Sequence, residues 1–164
     1  MKILLTDCGT LNYRGDIPLD IFNKYGEVLC YDNIQRDKLL EIVGDVDIIL
    51  CNKTLIDSTV IENAHSLKYI GIFATGYNNI DIATAKKLGI TVCNAGSYST
   101  SAVAQQVFAY ILSHYNAVEK YNSYVKNCGW INTPTFAVLC YATDELKDKT
   151  LGIIGYGSIG KRVA

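Results

Sequence analysis

The chain has 164 residues, 49% hydrophobic and 19% charged, with a formal net charge of −1 and a pI near 6.1. These proportions allow a buried core and exclude a disordered chain, and with no basic run there is no electrostatic footprint for nucleic acid. No apolar stretch is long enough for a membrane span, Met1 leads into a strand-like run rather than a signal peptide, and six cysteines without a C-x-x-C pair read as reduced thiols of a cytoplasmic protein.

Short apolar runs alternate with amphipathic segments through the first hundred residues. Strands are expected over 2–7, 27–31, 47–51, 69–73 and 91–93. Helices are expected between them, over 18–25, 35–43, 59–64 and 82–88. Pro18 suits a first helical turn. Thr59 and Glu62 have capping-box spacing, and Gly26, Gly44 and Gly89 fall where helices should end. Strands alternating with helices imply right-handed crossovers and an α/β, parallel, doubly wound sheet.

Residues 101–126 read as one long helix. Val103, Val107, Tyr110, His114, Val118, Tyr121 and Val125 follow a three-four spacing that makes one stripe apolar. Such a helix spans ~39 Å, well beyond the ~15 Å radius of gyration of a compact chain of this size. It is therefore expected to run past its own domain. Residues 127–146 have no period and read as a linker loop. A strand follows over 150–154.

Gly155, Gly157 and Gly160 then stand in G-x-G-x-x-G spacing, after an apolar run and before a helix. In a dinucleotide site the first glycine makes the tight turn, the second admits a pyrophosphate and the third lets helix and strand pack closely. The alternative is a glycine-rich turn with no ligand. The chain ends four residues later, so it is expected to open a Rossmann domain without completing it. The acidic residue that would read the ribose lies ~20 residues further on in that motif, so NAD and NADP are not distinguished.

Ala74-Thr-Gly-Tyr-Asn-Asn-Ile-Asp81 follows a predicted strand. Loops at the carboxyl ends of parallel strands are where such sheets bind ligands. Gly76 would let the backbone approach an anion, and successive N–H groups could cradle a carboxylate; Asp81 reads as the N-cap of the next helix. A capped turn with no ligand is the alternative. Lys53, after another strand, lies on the same rim, where a lysine is either a solvated charge or an anion partner. Cys8, Cys51 and Cys93 end predicted strands; buried thiols are the reading, a soft-metal site the alternative. His65 is expected in an exposed turn and His114 in a packing position, neither beside an acidic partner, so no acid–base pair is found.

In this order the segments resemble the D-isomer-specific 2-hydroxyacid dehydrogenases. The motifs are 74–81, Gly89-Ile-Thr-Val-Cys-Asn94, Ser97-Tyr-Ser-Thr100 with Ala102-Val-Ala104, Gly129-Trp130, and the run from Glu145 through the glycine turn. Thr10-Leu-Asn12, Gly15-Asp16 and Asn52-Lys-Thr54 resemble the glycerate dehydrogenase (hydroxypyruvate reductase) branch. Gln105 departs from the family, which usually carries glutamate there.

The resemblance implies a flavodoxin-like substrate domain (1–100) and then a hinge helix, linker and truncated start of an NAD-binding domain (101–164). It implies hydride transfer between NAD(P)H and a small 2-keto or 2-hydroxy acid. The long helix that outreaches its domain and the apolar strand over 150–154 point to a homodimer, and composition to no nucleic-acid or membrane partner. No catalytic residue is expected in this chain: the family's arginine, glutamate and histidine fall downstream of the glycine turn, and the chain alone should be inactive. By resemblance Gly76 and Tyr77 are carboxylate contacts and Lys53 lies on a substrate-side loop. Thr75, Gly155, Gly157, Ser158, Ile159 and Gly160 are cofactor contacts. A ligand sensor on a dehydrogenase fold is the alternative.

Overall fold

Five apolar runs become five short strands in the computed structural model, which describes residues 1–164. They are β1 (Lys2–Leu5), β2 (Glu27–Cys30), β3 (Ile48–Cys51), β4 (Tyr69–Ile72) and β5 (Thr91–Asn94). All pair in parallel, in the order β2-β1-β3-β4-β5. This is the expected α/β sheet, with the flavodoxin-like strand order. Its central strands read as continuous apolar runs because both faces are covered.

On one face Leu4, Ile49 and Ile70 are fully buried against α1 (Arg36–Ile42), α2 (Ser58–Asn63) and α3 (Ile82–Lys87), through Leu39, Val60, Ile61 and Ala85. On the other, Ile3 and Leu5 meet Leu19 and Phe22. The helix expected over 18–25 is a 3-10 run, Leu19–Tyr25, with no buried residue of its own.

Two helix-end expectations are corrected. The cap of α2 is Asp57, whose carboxylate accepts from Val60 N at 3.1 Å; Thr59 lies inside the helix. Gly44 sits within a 3-10 turn, Val43–Asp45, and does not end α1 in a left-handed conformation. Gly89, at φ 73°, does follow α3 as expected.

The reading of six reduced thiols is also corrected. Cys8 and Cys30 form a disulfide with Cα atoms 6.6 Å apart. The fold brings them together: Leu5 pairs with Cys30 in the parallel register, and Cys8 N donates to Tyr31 O at 2.8 Å. Cys51, Cys93, Cys128 and Cys140 are free.

The chain divides into two units, Met1–Gly96 and Ser97–Ala164. In the second, the expected single helix over 101–126 is two helices, α4 (Thr100–Tyr115) and α5 (Val118–Lys126). Asn116 N closes onto Leu112 O at 3.0 Å, and Ala117 turns into the left-handed region at φ 49°. The residues before the break, Ser113-His114-Tyr115-Asn116, are all poor helix formers. The predicted stripe is not buried either. Val103, Tyr110, His114, Val118 and Val125 are exposed, and the rings of His114 and Tyr115 meet edge to face, 5.4 Å apart.

Residues 127–146 contain no regular element. The loop is held where Tyr121 Oη donates to Tyr141 O at 2.8 Å and the two rings meet edge to face. The strand expected over 150–154 is absent. A strand is defined by ladder hydrogen bonds, and this segment has no neighbour to supply them. Its Leu151 and Ile154 are exposed, and Ile153 is half-buried. The last element is α6 (Ser158–Val163), which packs on α4. No helix is long and apolar enough to cross a membrane.

Candidate functional site at the carboxyl edge of the sheet

The loops that leave β3 and β4 are neighbours because their strands are. Phe73 N donates to Cys51 O at 2.8 Å, extending the ladder to its carboxyl edge. Beyond it, Ile56 N donates to Asn79 O at 2.8 Å and Asp81 N to Ile56 O at 3.0 Å. The Asn79 side chain donates to Thr54 O at 2.8 Å. This lacing brings the loop of exposed Lys53 beside the turn of Gly76 and Tyr77. On the other side, Ala95 N donates to Ala74 O at 3.0 Å and the Asn94 amide to Thr75 O at 2.7 Å, tying the turn to β5.

Within that turn neither the Gly76 nor the Tyr77 N–H donates to a main-chain carbonyl. Both residues are exposed, and a Cβ built on Gly76 meets nothing within 4 Å. Two adjacent N–H donors at an open surface form the start of an anion cradle. Asp81 caps α3 as expected, accepting from Thr84 N and from Thr84 Oγ1, each at 3.0 Å. Those bonds hold its carboxyl below the usual carboxylate range, so the cap stays ionised at neutral pH. A cavity of about 440 Å³ opens beside Tyr77, lined by Ile72, Ile82, Val92, Cys93 and Asn94.

The sequence reading missed one residue here. Asp7, only 2% exposed, lies beyond the end of β1. Its Oδ1 accepts from Asn52 N at 2.8 Å; its Oδ2 accepts from Lys53 N at 2.5 Å and from Thr54 N at 2.9 Å. The available signal was an acidic residue directly after the Leu4-Leu5-Thr6 run. Its main-chain partners are more than forty residues away, and no local pattern names them.

The strand-end cysteines do not converge on a common ligand position. Cys8 is disulfide-bonded and Cys93 is exposed. Burial, and then the charge of Asp7, push the Cys51 thiol up to about 12, so it stays neutral at neutral pH. His65 is exposed, and neither histidine has a carboxylate partner.

In the second unit the glycine turn is partly constrained. Gly155 adopts φ 92°, a region L side chains rarely enter. A Cβ on Gly160 would collide with the Gly155 carbonyl oxygen, whereas one on Gly157 meets nothing within 4 Å. Gly157 is the N-cap of α6, and Ser158 and Ile159 begin it. Gly155 and Gly160 are thus constrained by the fold, and Gly157 leaves space in front of it. That division fits a pyrophosphate.

Residues 4–154 match the D-isomer specific 2-hydroxyacid dehydrogenases, catalytic domain. The chain belongs to this family. It is 36% identical over 164 residues to a hydroxypyruvate reductase of Blautia hydrogenotrophica, covering 98% of this chain and 51% of that protein. It is 37% identical over 133 residues to a glyoxylate reductase of Pyrococcus furiosus, covering 80% and 40%. Among solved structures, a protein of Thermus thermophilus superposes with a TM-score of 0.80 at 25% identity, covering 99% of this chain and 51% of that one. An acyclic imino acid reductase solved with NADPH and D-Arg gives 0.77 at 27%, with the same coverages. The chain spans about half the length of the relatives it matches most fully.

Proposed function

We propose that this chain is the substrate-binding half of an NAD(P)-dependent dehydrogenase that reduces a small 2-keto acid, hydroxypyruvate first, to the 2-hydroxy acid. The observation that carries the reading is the open pair of N–H groups at Gly76 and Tyr77, beside Lys53, in a chain of this family. The substrate carboxylate accepts from both N–H groups, and the Lys53 ammonium favours its approach. Fixing the carboxylate sets where C2 stands, which is the entropic part of catalysis. Gly155, Gly157, Ser158, Ile159 and Gly160 would hold the cofactor pyrophosphate, and Thr75 would be a further cofactor contact. Bound there, the nicotinamide cofactor supplies the hydride. Proton supply to the carbonyl oxygen, and an arginine on the carboxylate, come from residues outside this chain.

The test is NADH and NADPH oxidation by the dehydrogenase that carries this chain as its amino-terminal half, with hydroxypyruvate, glyoxylate and pyruvate. Hydroxypyruvate is expected to give the highest kcat/KM. Tight binding of NAD(P)H with no turnover on any keto acid would favour the sensor instead. The 164-residue chain alone is expected to show no turnover and to bind NAD more weakly than ~1 mM, about −4 kcal/mol. Turnover by that chain, or micromolar affinity in titration calorimetry, would overturn this division of labour.

The active species in this proposal is a homodimer. Supporting it, the second unit exposes Phe108, Leu112, Val118, Val125, Trp130 and Leu139, apolar side chains that a second copy could cover. Light scattering at micromolar concentration should give twice the chain mass; a monomer would sink the assignment.

A further inference from the structure

In a sheet of order β2-β1-β3-β4-β5 the strand order reverses between β1 and β3, and ligands of such folds bind outside the carboxyl ends there. In this chain that crevice contains Asp7. Three consecutive N–H groups, from Asn52, Lys53 and Thr54, converge on its carboxylate. Converging main-chain donors of this kind make an anion site, and here the protein fills the site with its own side chain. The N–H donors of the neighbouring turn at Gly76 and Tyr77 make no such main-chain pairing.

We propose that Asp7 is the positioning residue of the substrate site: it occupies the switch-point donors and thereby fixes the loop that presents Lys53. The inference rests on the dehydrogenase reading. Three further observations carry it. Asp7 is buried, and a buried carboxylate costs desolvation that packing alone would not require. Both its oxygens are used, with Thr6 Oγ1 also donating to Oδ1 at 3.1 Å. The Thr54 hydroxyl is buried without a partner, so that side chain does not hold the loop; the main-chain N–H groups do. The Asn52 amide, donating to Thr10 Oγ1 at 2.9 Å, ties the same loop to the turn after Asp7.

Asp7→Asn keeps the shape but turns one acceptor into a donor that faces the loop's N–H groups. In the dehydrogenase that carries this chain, kcat/KM for the keto acid is expected to fall on the order of 10²-fold, the usual cost of about 1 Å of misplacement. The loss should lie in KM for the keto acid, with the Kd for NADH unchanged. In an Asp7→Ala variant, added formate should recover a measurable part of the lost activity by refilling the crevice. An unchanged KM in folded Asp7→Asn enzyme, or a cavity variant that formate does not rescue, would overturn the proposal. Should both variants fail to fold, amide hydrogen exchange on the unaltered enzyme decides. Strong protection of Asn52, Lys53 and Thr54 N–H is expected, and exchange at free-loop rates would refute it. Absence of keto-acid turnover in the unaltered enzyme would instead count against the dehydrogenase reading.

Discussion

Gly76→Val in the dehydrogenase carrying this chain is expected to raise KM for the keto acid by at least ~10²-fold, or about 2.7 kcal/mol, with the thermal midpoint nearly unchanged. The two halves of that result have separate causes. Gly76 has no left-handed φ, and a Cβ there meets nothing within 4 Å, so the fold accepts the larger residue. What the isopropyl group fills is the space in front of the Gly76 and Tyr77 N–H groups. A hydrogen bond to a charged partner contributes about 1.5–3 kcal/mol, so displacing the carboxylate from two such donors gives a large effect. Steady-state kinetics with hydroxypyruvate and a melting curve on the same preparation check it. Unchanged kinetics in a folded variant would remove Gly76 and Tyr77 from the site. A collapsed melting temperature would mean the turn carries the fold rather than the substrate.

The sheet was legible because its signal is local. A parallel strand covered on both faces is a run of apolar residues, and Leu4, Ile49 and Ile70 each lie in such a run. Cap chemistry was legible for Asp81, which stands directly before its helix, and misread at Thr59, where Asp57 lies two residues earlier and wins the Val60 N–H.

The failures share a physical form: each depended on partners that local sequence does not name. Residues 150–154 carry strand-like side chains but have no ladder partner, so no strand forms. The helix over 101–126 has a continuous three-four pattern, yet Ala117 breaks it with a backbone conformation that periodicity does not report. His114, read as packed, is exposed, since a stripe is buried only where something covers it. The Cys8–Cys30 pair and the cage around Asp7 are products of strand order, which becomes visible only once β1 lies between β2 and β3. Lys53 and Gly76 were named as candidates because loops at the carboxyl ends of parallel strands are ligand positions in such sheets, and Tyr77 because of the family resemblance.

The glycine turn gives the second large effect, because its glycines should fail in different ways. Gly160→Val drives a Cβ into the Gly155 carbonyl oxygen and puts it 3.4 Å from Ile153 Cγ2. Gly155 cannot easily yield: at φ 92° it already occupies a region that follows from the tightness of the turn. The start of α6 must then move away, and on the proposed reading its first N–H groups would no longer face the cofactor pyrophosphate. Expected are a Kd for NAD(P)H raised at least ~10²-fold, about 2.7 kcal/mol, and a lower melting temperature. Gly157→Val should raise Kd comparably by filling the space meant for the ligand, yet leave stability alone, since a Cβ there meets nothing within 4 Å. Gly152→Ala, equally free of neighbours but outside the motif, should change neither quantity. Fluorescence titration of NAD(P)H and thermal melts on the three variants separate these outcomes. Should Gly157→Val bind the cofactor as tightly as the unaltered enzyme, the open face of the turn is not where the pyrophosphate lies, and the assignment of Ser158 and Ile159 as its contacts fails with it.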